Sequence, residues 1–418
     1  MKVAGLVVEY NPFHNGHLYH LEQSKKLSDA DYTVCIMSGN FIQRGEPALV
    51  NKWARAKMAL LSGIDLVIEL PVVYAMASAE YFAYGAVSIL DSLGVVDSLC
   101  FGSESGSISE LDLVAETLNM EPDNYKFFLK SKLNQGLSFP SAREAALIEY
   151  FKYLDLDINI STIIGSSNNI LGIEYLKALK RIGSSIKPLT IGRICNSYNS
   201  EQLTGSVSSA TSIRKSILHT SDGLLTPEVS KTLPDTSLSI LKEEADAGRS
   251  PVFPKNFETA LLSFLRRMPA EEIGLLPYVS EGMENRIKAA SDSSGSLEEL
   301  IANINTKRYT RTRIQRILFS IMTGLKAFEL HAYVRDYGPQ YIRVLGFSQR
   351  GRKLLSEIKV KAVLPTIIKT ADYKRSCNPL LKRMLEIEAQ ATDMYVMGYS
   401  NPVYRKAGQE FTQNIVII

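Results

Sequence analysis

Cysteine, tryptophan and histidine are scarce in this 418-residue chain, which holds four, one and five of them. Cys35, Cys100, Cys195 and Cys377 are too far apart for a Cys-x-x-Cys metal or redox site, so they read as reduced, mostly buried thiols of a cytoplasmic protein. No run of about 18 apolar residues occurs, so no membrane-spanning helix is expected. The first apolar run ends at Glu9, too early for a secretory leader. There is no glycine-rich Walker or coenzyme A loop, no Cys/His or Ser/His/Asp constellation for covalent catalysis, and no dedicated protein cage for a metal. With 45% apolar and 22% charged residues the composition is that of a globular, soluble chain. Its length exceeds one ordinary core, so two or three domains are expected.

The few histidines are not scattered. His14, His17 and His20 fall within seven positions, behind the apolar run Val3-Ala4-Gly5-Leu6-Val7-Val8 and at the head of a segment with helical periodicity, Leu18 to Leu27. A strand, a tight loop and a helix follow one another. The free N–H groups and positive dipole end of such a helix favour phosphate. Gly16 permits close backbone approach, and two imidazoles can donate to phosphate oxygens as charge builds on them. Asn11-Pro12-Phe13-His14-Asn15-Gly16-His17 has the His-x-Gly-His form of the nucleotidyltransferase superfamily, whose members split ATP or CTP between the α- and β-phosphates. The alternative is a surface turn with two solvated histidines.

Further strands are expected at residues 31–37, 64–71, 97–104 and 187–193, separated by helices at 51–63, 79–93 and 166–179. Strands alternating with helices imply an α/β, doubly wound parallel sheet that binds ligands across its carboxyl edge. Residues 107–155 read as a helical insertion. Ser208-Ser209-Ala210-Thr211-Ser212-Ile213-Arg214 opens one more helix with hydroxyls at its cap. A catalytic domain over 1–220 would then be followed by a Pro- and Ser-rich linker over 221–255 and a C-terminal region over 256–418, first helical, then small α/β with strands at 341–347 and 361–368. Residues 1–250 hold 22 Lys and Arg against 28 Asp and Glu, residues 251–418 hold 25 against 16, and residues 301–375 hold 16 against 4. That basic back half points to a polyanion. Within it, Ile314, Ile317, Leu318 and Ile321 form a buried helical stripe, which would turn Arg308, Thr312, Arg313 and Arg316 towards phosphates, while Tyr309 stacks on an unpaired base.

Taken in order, Val-Glu-Tyr-Asn-Pro-Phe-His-Asn-Gly-His, Ser-Gly-Asn-Phe-Ile-Gln-Arg-Gly-Glu-Pro-Ala, Lys-Trp-Ala-Arg, Phe-Gly-Ser-Glu, Asn-Asn-Ile-Leu-Gly, Ser-Ser-Ala-Thr-Ser-Ile-Arg and Lys-Arg-Tyr-Thr-Arg-Thr-Arg resemble the bacterial tRNA(Met) cytidine acetate ligase family. The resemblance implies an ATP-dependent ligase that makes acetyl-adenylate from acetate and moves acetyl to N4 of the wobble cytidine of elongator tRNA(Met). By carry-over of its motifs, ATP would be held by Val7-Val8-Glu9-Tyr10-Asn11-Pro12-Phe13-His14-Asn15-Gly16-His17-Leu18-Tyr19-His20, with Gly102, Asn169, Arg193, Ser209 and Arg214, and His14 and His17 would be catalytic. Mg²⁺ would ride on the phosphates. The tRNA would be met by Lys307, Arg308, Arg311, Arg313 and Arg316, and the polar loop from Ser38 to Ala48 is the candidate lid over a water-labile intermediate. No coenzyme A and no obligate protein partner are expected. Two other readings stand beside it: a small-molecule nucleotidyltransferase of cofactor synthesis, and a non-catalytic RNA-binding protein.

Overall fold

The computed structural model describes residues 1–156, 158–192, 208–220, 225–306 and 309–418. The strands are β1 (Val3–Val8), β2 (Tyr32–Ser38), β3 (Phe41–Ile42), β4 (Glu46–Pro47), β5 (Leu66–Leu70), β6 (Ser98–Ser103), β7 (Lys187–Gly192), β8 (Ile342–Phe347), β9 (Thr366–Ile367) and β10 (Val416–Ile417). In the main sheet the order β5-β2-β1-β6-β7 is parallel throughout. The chain leaves β1 for β2 on one side and returns through β6 on the other, so the loops at the carboxyl ends of β1 and β6 part and leave a crevice between them.

Both sides of the sheet are covered, as near-continuous apolar strands require. Ala4, Leu6, Cys35 and Met37 pack with Leu21 of helix Asn15–Ser28 and Met58, Ala59 and Leu60 of helix Lys52–Leu61. The alternate residues Val3, Val34, Ile36 and Leu99 pack with helices Ala79–Ser92 and Ser167–Ile182 and with much of the C-terminal third. The 107–155 insertion is helical, as Ile108–Met120, Asp123–Asn134 and Phe139–Tyr153.

The sheet also runs across the division expected from sequence. β8 pairs antiparallel with β5, Arg343 lying opposite Glu69, and β9 and β10 both pair with β8. The late strands therefore extend the first sheet, and only Thr366–Ile367 of the expected 361–368 strand pairs. From Leu225 onward the Pro- and Ser-rich stretch is packed too. Helix Asp235–Asp246 places Ile240 and Leu241 with Leu49 and Val50 in one apolar cluster, and Val252 N–H bonds to Leu49 O at 2.9 Å.

Candidate functional site

The His loop leaves β1 at the crevice. Tyr10 takes a positive φ of 48° and the Asn11–Pro12 peptide is cis. Two distant segments hold this turn: Leu49 N–H donates to Asn11 Oδ1 at 2.7 Å, and Arg214 Nη1 donates to Asn11 O at 2.9 Å. His14 is the N-cap of helix Asn15–Ser28. Its Nδ1 accepts from Gly16 N–H at 3.0 Å, while His17 Nδ1 accepts from His14 N–H at 3.3 Å. The two rings stack with centroids 3.7 Å apart, and the edge of Tyr10 meets His17 at 5.0 Å. A neutral imidazole that accepts at Nδ1 carries its proton on Nε2. The hydrogen-bond network therefore assigns both histidines as Nε2–H donors, held by backbone and by each other.

Gly102, Asn169, Ser209 and Arg214, also expected at the nucleotide, lie at the same edge. Ser209 caps helix Ala210–Leu218, accepting from Ser212 N–H at 3.1 Å, and Arg214 reaches back from that helix to the His loop. Gly102 lies on β6, and Asn169, fully buried, lies in the first turn of helix Ser167–Ile182. Arg193 is outside the described residues. Glu9 accepts Gln43 N–H at 2.8 Å. Burial pushes its carboxyl up against the pull of that bond and of Arg214, Arg44 and Arg55.

Arg55 belongs to the Lys-Trp-Ala-Arg signature, and its role is not legible there. It is fully buried and spends its guanidinium on the carbonyls of Glu9 (2.6 Å), Ser38 (3.1 Å), Gly39 and Val50 (3.0 Å). It thus ties together the ends of β1 and β2. Burial pulls its pKa down to about 10. Lys52 is equally buried, with Nζ 2.6 Å from Glu69, 3.3 Å from Glu388 and 2.6 Å from Glu410; Arg343 joins at 2.5 Å from Glu410 and 3.6 Å from Glu69. One sequence signal does exist for this network. Glu69 and Arg343 are charges inside apolar strand runs, where a buried partner is required.

The Ser38–Ala48 loop, expected as a lid, is anchored instead. It folds into the β3–β4 hairpin, Phe41 packs between Phe319 and Tyr395, Tyr395 Oη donates to Ala48 O at 2.8 Å, and Gln315 Nε2 donates to Glu46 at 2.7 Å. Gly45 has φ 74°, and any Cβ there would strike the backbone of Arg316. Helix Arg311–Thr323 buries Ile314, Ile317 and Leu318 of the expected stripe and half-buries Ile321, but its other side is covered as well. Arg313 turns onto Tyr278 O and Ser280 (both 2.8 Å) and over the ring of Tyr309, which is itself buried. Arg316 donates to Gln43 O at 3.3 Å and lies over Tyr278. The reason is packing: the hairpin and the 278–280 turn occupy the face that the stripe alone would leave to solvent. Arg311 is half-exposed and paired with Glu298, whereas Lys307 and Arg308 are outside the described residues. Among the described residues no three His, Cys, Asp or Glu side chains converge to hold a metal, and no single helix is long and apolar enough to cross a membrane.

Comparison with known proteins agrees with this geometry. Residues 1–410 match the HIGH Nucleotidyl Transferase family. The chain is 59% identical over 418 residues to the tRNA(Met) cytidine acetate ligase of Acetivibrio thermocellus, covering all of both chains, and 45% identical to that of Halothermothrix orenii, covering 98% of each. Among solved structures, Thermotoga maritima TmcAL superposes with a TM-score of 0.95 in its apo form and 0.92 in a form bound with alpha-thio ATP, each at 39% identity and full coverage of both chains. The chain belongs to the tRNA(Met) cytidine acetate ligase family of HIGH nucleotidyl transferases.

Proposed function

We propose that the protein is an ATP-dependent ligase that activates acetate as acetyl-adenylate and transfers acetyl to N4 of the wobble cytidine of elongator tRNA(Met). The observation that carries this reading is the paired His14 and His17, both set as Nε2–H donors at the N-terminus of helix Asn15–Ser28, with Arg214 tied to the same loop. Together they supply fixed positive potential where acetate attack on the α-phosphate builds charge and pyrophosphate departs. Mg²⁺ enters on the nucleotide phosphates. Once acetate is joined to AMP the acyl group is already activated, and the cytidine amine attacks it without a protein nucleophile.

Support for the RNA half is electrostatic. Sixteen basic against four acidic residues over 301–375 provide the sequence-independent attraction that a tRNA backbone requires; Arg313 and Arg316, engaged by Tyr278, Ser280 and Gln43, add to that field from inside the protein rather than by direct contact. The protein would act in the cytoplasm, where its substrate is. Incubation with ATP, labelled acetate and total tRNA is expected to place label in RNA as N4-acetylcytidine, with AMP and pyrophosphate formed. Label transferred from acetyl-coenzyme A without ATP, or none in RNA, would overturn the reading.

A further inference from the structure

Two of the family's motifs, Phe-Gly-Ser-Glu at the end of β6 and Asn-Asn-Ile-Leu-Gly at the start of helix Ser167–Ile182, interlock. Glu104 Oε2 accepts Asn169 N–H at 2.9 Å and Oε1 accepts Asn168 Nδ2 at 2.6 Å. In return, Asn169 Oδ1 accepts the N–H groups of Glu104 at 2.8 Å and Ser105 at 3.2 Å. Two backbone donors fix the amide orientation, because the flipped group would set its NH₂ against both of them. Asn169 Nδ2 is consequently directed away from that turn, buried and without a hydrogen-bond partner. A buried donor in that state costs free energy unless a ligand supplies an acceptor.

Glu104 has a second effect at the same place. Its carboxylate sits on the N-terminus of a 16-residue helix, the end where an anion would otherwise be stabilised. None of the helices Asn15–Ser28, Ser167–Ile182 and Ala210–Leu218 carries an acidic residue in its own first turn, so the carboxylate at the start of Ser167–Ile182 is supplied by Glu104 from the end of β6. The crevice therefore has a negative end beside β6 and a positive end at the His loop.

We propose that Glu104 is the positioning residue that orients ATP: its carboxylate docks the 104–105 turn on the start of the 167–182 helix, where the N–H groups of that turn hold Asn169 Oδ1 and leave Asn169 Nδ2 to donate to an acceptor atom of the nucleoside, and it closes the helix end to phosphate, so that the triphosphate can lie only towards His14 and His17. This rests on the ATP-dependent reading above. The ligand class at Asn169 is a ring nitrogen or ribose oxygen, not a phosphate.

The test is equilibrium binding of ATP and of inorganic triphosphate to the full-length protein, without acetate or RNA. Asn169→Ala and Glu104→Ala are each expected to weaken ATP by about tenfold, the loss of one hydrogen bond, and the double variant to be no weaker than Asn169→Ala alone. Glu104→Gln, which removes the charge and keeps one of the two side-chain acceptors, is expected to bind triphosphate several-fold more tightly, with a melting temperature lowered by no more than the loss of the Asn168 Nδ2 contact. Multiplying effects in the double variant, or triphosphate affinity unchanged by Glu104→Gln, would overturn the inference. Parent protein that binds no ATP would instead overturn the ligase reading on which it rests.

Discussion

Two clusters of charge flank β2 at the carboxyl edge of the sheet, and they are built in opposite ways. Around Lys52 the charges face one another: two cations and three carboxylates, all buried, drawn from helix Lys52–Leu61, β5, β8, helix Pro379–Tyr395 and helix Gln409–Thr412. At the His loop the backbone N–H groups of Gly16 and His14 donate to the two imidazoles, and at Asn169 the backbone takes the acceptor and leaves the buried Nδ2 donor. A charged residue in a family motif thus reads as structure or as chemistry according to which of its atoms the protein has already used.

The sharpest way to break this comparison is to remove the central cation. Lys52→Met leaves Glu69, Glu388 and Glu410 facing one another with Arg343 alone, and breaking a buried pair of this kind is expected to cost about 3–5 kcal/mol in urea unfolding. A loss below about 1 kcal/mol would mean that the cluster is solvated and no different in kind from the site. Next in size, His14→Ala and His17→Ala should each slow acetate-dependent ATP–pyrophosphate exchange by roughly 10²-fold, about 2.7 kcal/mol of transition-state stabilisation, while unfolding shifts by no more than the loss of a helix cap, about 1 kcal/mol. Equal damage to exchange and to stability would place the histidines with Lys52.

The smallest effect is in pH dependence and separates the carboxylates within the network. Burial, then the charge of Glu388, holds the Glu69 carboxyl well above its usual range; burial would raise Glu410 too, but Arg343 and Lys52 prevail and hold it below. A raised group stabilises fully below its unfolded pKa and loses that contribution as pH rises through the folded value. A depressed group does so above its unfolded pKa and loses it as pH falls through the folded value. Glu69→Gln should therefore flatten the alkaline limb of a stability–pH profile and Glu410→Gln the acid limb, each by on the order of 1 kcal/mol. The opposite pairing of residue and limb would contradict a raised Glu69 beside a lowered Glu410.

The parallel core was legible because β1, β2, β5, β6 and β7 are short apolar runs between amphipathic helices, a local pattern. The His loop was legible because histidine is rare and clustered. What local pattern does not carry is pairing across hundreds of residues. Nothing near Ile342 announces that it will join β5, and nothing near Arg313 or Arg316 announces that Tyr278 and Gln43 will cover them. The 38–48 loop misled for the same reason. Its polarity suits a mobile cover, but Gln43, Glu46 and Ala48 bond to partners at Glu9, Gln315 and Tyr395.

The antiparallel seam between β5 and β8 also sets an order of assembly during synthesis. Until Ile342–Phe347 has emerged from the ribosome, β5 presents an open edge, and until Glu388 and Glu410 follow, Lys52 has only Glu69 beside it. An unpaired, apolar edge is a template for the wrong neighbour. The nucleotide-binding half is thus made first and completed last: a nascent chain stalled before residue 342 carries every residue of the His loop on a sheet that is still unsealed.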